Sequence, residues 1–137
     1  MTNPVHLATF RIGTPTTNPQ AFRIAVTRRP PRGIPKADWK RLGCFDVWFP
    51  SIAPSAELID RFHPQHESDP VVWKKFLAAY EKELLANAES RQTVALLAEL
   101  ATRIPIEIGC FCEQESHCHR SRLHEVIRKA AEGSSPT

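Results

Sequence analysis

The sharpest alternation in the chain lies near its end. Ile104, Ile106 and Ile108 alternate with Pro105, Glu107 and Gly109, the period-two pattern of a strand with one apolar face. Cys110 and Cys112 continue that face. A polar stretch follows, and then Leu123, Val126, Ile127 and Ala130 recur at helical spacing, so a strand hands over to a helix that ends near Gly133, a suitable C-terminal cap. Residues 134–137 read as a frayed tail.

Similar patterns order the rest of the chain. His6 to Ile12 alternates and predicts a first strand, and Phe22, Ile24 and Val26 mark a second. Lys36 to Arg41 fits a short helical turn. Cys44 to Phe49 reads as another strand, with Phe45, Val47 and Phe49 on one face and Cys44, Asp46 and Trp48 on the other. Ser55 is placed to cap a helix over Ala56 to Phe62. Asp69 followed by Pro70 is a helix start, a capping carboxylate with proline at the first helical position. From there Trp73, Phe76, Leu77, Tyr80 and Leu84 form the stripe of a helix reaching about Ala86. Ser90 to Thr102 predicts another, with Val94, Leu97 and Ala101 on one face. Strands, a helical middle, a strand and a helix make an α/β protein: a single compact domain over residues 1–133, with a small, mainly parallel sheet covered by helices.

Composition narrows the function classes. The 137 residues are enough for one domain with a hydrophobic core, and 12 prolines predict many ordered turns. A net charge of +3 is too mild to demand nucleic acid as a partner, although it leaves one open. The first thirteen residues lack a long apolar run, so neither a signal peptide nor a membrane span is expected, and the chain reads as cytoplasmic with reduced cysteines. Four cysteines are few for a disulfide scaffold of this length.

The candidate chemistry gathers after two strands. Following the second strand, Arg28, Arg29 and Arg32 are interleaved with Pro30, Pro31 and Gly33, which display guanidinium forks suited to phosphate or carboxylate; a solvated loop with structural ion pairs is the plainer alternative. Following the last strand comes Cys110-x-Cys112-x5-Cys118-His119-Arg120. Four readings compete for it. Cys118 at a helix N-terminus, near His117, His119 and Arg120, would have a lowered pKa and could act as a nucleophile, with His119 or Glu113 moving protons. Cys112, Cys118 and His117 or His119 have the donor softness that zinc or iron prefers, though the spacing is not that of a standard zinc knuckle. Cys112 and Cys118 could form a redox pair across their five-residue loop. Last, the cysteines could be plain core residues, Cys110 above all, with Glu113 and Glu115 capping or solvated. His63 and His66 fall in a proline-bounded polar loop and read as surface residues.

Blocks spread from Ala21 to Arg128 resemble one family. Arg23-Ile-Ala-Val-Thr-Arg-Arg-Pro-Pro-Arg-Gly33, Asp46-Val-Trp-Phe-Pro50 with Ala53-Pro-Ser55 and Leu58, Trp73-x-x-Phe76-x-x-x-Tyr80-x-x-Glu83-Leu84, and Gly109-Cys-Phe-Cys-Glu113 with Cys118-His-Arg-Ser121 and Leu123 occur in order. Together they are similar to the family catalogued as domain of unknown function 488, in its YeaO-like branch. The resemblance implies a compact bacterial α/β domain and supplies no reaction. It departs at Thr27, where many members carry aspartate, at Pro30, where they carry tryptophan, and in the cysteine motif, which many YeaO-like members lack. It makes the two post-strand loops stand out as one candidate site.

The sequence thus points to a Cys/His/Arg pocket at the carboxyl edge of the sheet. Its expected ligand is a small phosphate-bearing or nucleotide-like anion held by Arg28, Arg32 and Arg120. Cys118 would be the nucleophile, and Glu113 or His119 the acid or base. The alternative is a non-enzymatic zinc- or iron-binding module, with Cys112, Cys118 and His119 as ligands, that contacts nucleic acid or a protein. Cofactor, reaction and oligomeric state stay open.

Overall fold

A computed structural model describes residues 5–15, 18–28, 33–39, 45–62, 69–110 and 119–133. Four strands, β1 (Leu7–Arg11), β2 (Phe22–Ala25), β3 (Val47–Trp48) and β4 (Ile106–Cys110), form one sheet in the order β1-β4-β2-β3. Every pairing is parallel. The last strand is therefore inserted between the first two: Ile106 pairs with Leu7 on one side and Phe22 on the other, and Gly109 with Phe10 and Ala25.

Strand alternation sends the two faces into different cores. Ile24, Val26, Ile106 and Ile108 point to a large core shared with four helices: α1 (Ala56–Phe62), α2 (Pro70–Ala86), α3 (Ala88–Ala101) and α4 (His119–Gly133). Phe10, Ile12, Ala25 and Phe45 point the other way, into a small core closed by Ile34, Trp39 and Trp48 from connecting segments. The helices gather on one face, while the connections after β1 and β2 lie across the opposite one. On that second face the Arg23 guanidinium stacks 3.8 Å from the centre of the Phe10 ring and pairs with Glu107 at 2.9 Å. Its Nη1 also donates to the Thr14 carbonyl, so the connection after β1 is tied to the middle of the sheet.

The capping chemistry appears as the sequence implies. Asp69 Oδ1 accepts from the backbone N–H groups of Val71 and Val72, and Ser55 Oγ accepts from Leu58 N–H. α3 begins earlier than its apolar stripe suggests, because Asn87 takes the capping position and accepts from Glu89 and Ser90. The expected strand over Cys44 to Phe49 is cut to two residues. Phe45 and Trp48 share the small core while Val47 and Phe49 pack on the large one, because only Val47 and Trp48 hold the extended pairing that enforces alternation. Cys44, with His63 and His66, lies outside the described residues, as do residues 134–137. Among the described residues no helix is long and apolar enough to cross a membrane.

Gly109 is required by this packing. A Cβ there would meet the Phe10 ring at 2.4–2.7 Å, inside contact distance. Gly109→Ala should therefore lower unfolding free energy by about 1–3 kcal/mol in urea titrations. Adding Phe10→Leu should restore part of it; a Gly109→Ala protein as stable as the parent would contradict the packing.

Candidate functional site

The carboxyl ends of β2 and β4 are neighbours, and the chain leaves them in opposite directions. After β4 it returns through α4 on the helical face; after β2 it passes to Ile34 and Trp39 on the other. In open parallel sheets, such a divergence leaves a crevice at the strand ends where ligands bind.

His119, the first residue of α4, reaches across to the segment that follows β2. Its Nε2 lies 2.6 Å from the Val26 carbonyl, just beyond β2, and its ring meets the edge of Tyr80 at 5.5 Å between centroids. Burial lowers the His119 pKa to about 4; the Val26 carbonyl opposes that shift and the Arg120 charge adds to it. The ring is thus neutral near pH 7. Because a carbonyl only accepts, the proton sits on Nε2 and the lone pair on Nδ1. This corrects the expectation that a cationic His119 helps to lower a nearby thiol pKa.

Arg120 is buried, 4% exposed, at the end of β4. Its Nη1 lies 3.3 Å from Cys110 Sγ and 3.5 Å from the Cys110 carbonyl. A guanidinium this enclosed places fixed positive charge at the carboxyl end of β4. Cys110 is buried as expected but is disulfide-bonded, so the expectation of reduced cysteines does not hold for it.

Arg28 enters from β2. It is half-buried, and it grips a loop: Nε donates to the Pro54 carbonyl at 3.1 Å and Nη2 to the Ala53 carbonyl at 3.2 Å. The two preceding carbonyls are held as well, Ser51 by Ser90 Oγ at 3.0 Å and Ile52 by Tyr80 Oη at 2.5 Å. Four consecutive carbonyls thus each accept a side-chain donor. Tyr80 remains a donor at any ordinary pH, since burial and then the Glu83 charge push its pKa well up. Glu83 completes the clamp by accepting from Ser55 N–H at 2.9 Å and Ser55 Oγ at 2.5 Å. Trp48 Nε1 donates to the carbonyl of the buried Thr27 at 2.7 Å.

Arg28, His119 and Arg120 are therefore assembled at one edge of the sheet. Arg32, Cys112, Glu113, His117 and Cys118 lie outside the described residues. Among the described residues no group of three His, Cys, Asp or Glu could hold a metal ion, and His119 already turns Nε2 to a carbonyl, which leaves Nδ1 as its coordinating atom. Sequence reasoning placed Tyr80 in the core stripe and Ser55 at a helix cap; it missed that both, with Glu83, fix the loop beside Arg28. The family blocks containing Ser55, Tyr80 and Glu83 carried that signal.

Two measurements check this arrangement. The folded pKa of His119 lies below its unfolded value of 6.5, so its contribution to stability is complete above pH 6.5 and is lost as pH falls toward 4. The loss is roughly 3 kcal/mol. His119→Gln should flatten the parent's stability profile across that window; parallel profiles would rule the buried neutral ring out. Separately, thiol titration of the denatured, unreduced chain should find at most two free thiols among its 4 cysteines, whereas four would refute the disulfide.

Comparison with known proteins agrees with this fold and these motifs. The family model described as "Active DUF488-N3 subclade" matches residues 7–131. The "Uncharacterized protein YeaO" of Escherichia coli (strain K12) is 33% identical over 118 residues, which cover 86% of this chain and 93% of that protein. No solved structure matches. A match over nearly the whole described chain shows that it belongs to the DUF488 family, in its N3 subclade.

Proposed function

We propose that this protein binds a small phosphate-bearing anion in the crevice between the ends of β2 and β4, and that any covalent chemistry there belongs to Cys118. The observation that carries the reading is the contact between His119 and the Val26 carbonyl. It joins the segment after β2 to the start of α4, which supports a shared site for Arg28 and Arg120. Two features favour an anion: the buried guanidinium of Arg120 and the guanidinium of Arg28, which has donors to spare. Arg28 commits two of its five donors to the 53–54 carbonyls and keeps three. The matched subclade is described as active, which favours a catalytic role over a purely structural one.

Thermal unfolding with inorganic phosphate, pyrophosphate and adenosine monophosphate tests this directly. At least one should raise the Tm in a concentration-dependent way. Arg28→Ala should weaken that ligand's binding by about tenfold, the loss of one charge-assisted contact. If no anion moves the Tm at millimolar concentration, the reading is wrong.

A further inference from the structure

A cavity of about 440 Å³ shares Arg28 with the anion reading and extends beyond it. It opens between the 51–55 loop and the junction of α2 with α3, and its walls include Arg28, Ser55, Tyr80, Glu83, Asn87 and Ser90. The clamp described above holds its wall: the carbonyls of residues 51–54 accept from Arg28 and from side chains of α2 and α3. Binding there would require little reordering of the wall.

The charges are set on either side of a single peptide group. Arg28 Nε meets the Pro54 carbonyl, and Glu83 Oε1 accepts from the Ser55 N–H of the same peptide unit. The guanidinium nitrogen and the carboxylate oxygen are therefore at most about 8 Å apart, two hydrogen bonds plus one peptide unit. Each Glu83 oxygen receives one bond from Ser55 and keeps further acceptor capacity. The remaining polar lining is neutral. Such a cavity offers donors to an anion at one end and a carboxylate acceptor to hydroxyl groups a few ångströms away.

We infer that this cavity takes the sugar of a pentose phosphate, with the phosphate at Arg28 and a vicinal diol donating to Glu83. This rests on the anion reading above and adds the substrate class. The test is isothermal titration calorimetry with ribose 5-phosphate, 2-deoxyribose 5-phosphate and inorganic phosphate. Ribose 5-phosphate should bind about tenfold more tightly than either, because a site built to accept from a hydroxyl discriminates against a ligand without it. Glu83→Gln should erase most of that preference. Equal affinity for the ribose and deoxyribose compounds, with phosphate still bound, would overturn this inference and leave the anion reading standing. If none of the three binds, both fall. The wild-type comparison decides the matter even if Glu83→Gln fails to fold.

Discussion

Everything in this molecule depends on the insertion of β4 between β1 and β2 in parallel register. Parallel strands must be joined by segments that return to the starting edge. Here those segments divide between the two faces: helices on one, short irregular connections on the other. The division buries Ile106 and Ile108 under four helices and presses Gly109 beneath Phe10. It also lines up the carboxyl ends of β2 and β4 and then parts the chain on either side of them. That shared edge is a consequence of the topology, and the residues that follow the two strands meet there.

Arg28 illustrates how structural and functional roles overlap there. Its bonds to two loop carbonyls would by themselves make it a fastener. They also hold the guanidinium at the rim of a cavity whose opposite wall carries Glu83, itself fastened to the same loop through Ser55. The loop is rigid because charged and hydroxylated side chains satisfy its backbone, and those side chains are positioned because the loop is rigid. Arg120 differs: it is buried at the base of β4 beside Cys110, where a charge needs compensation and acts over a short range with little screening.

Local signals in the sequence were strong where they governed local structure. The caps at Ser55 and Asp69, the stripe from Trp73 to Leu84 and the alternation from Ile106 to Cys110 each act within a few residues, so spacing alone exposed them, although the strand leaves out Ile104, which is exposed. The parallel sheet followed from the order of elements. What spacing did not expose was long-range. Phe45 and Trp48 share a core although alternation would separate them, because the strand is too short to impose it. The neutral state of His119 depends on Val26, far away in the sequence, and on the packing that encloses the ring. Glu83 and Ser55 lie 28 residues apart, and nothing local to either one announces the other. The family blocks contained these residues, but only the fold shows that they meet.

The central claim is one of place: the ligand sits at the carboxyl edge of β2 and β4. Amide NMR spectra of the isotope-labelled protein, recorded during titration with ribose 5-phosphate, test it most directly. The account predicts the largest shifts at Thr27, Arg28, Ser55, His119 and Arg120. A second cavity lies at the opposite edge of the sheet, lined by Gln20, Phe22, Asp46 and Arg103. Shifts confined to that edge, with the Arg28 and His119 signals unmoved, would contradict the account.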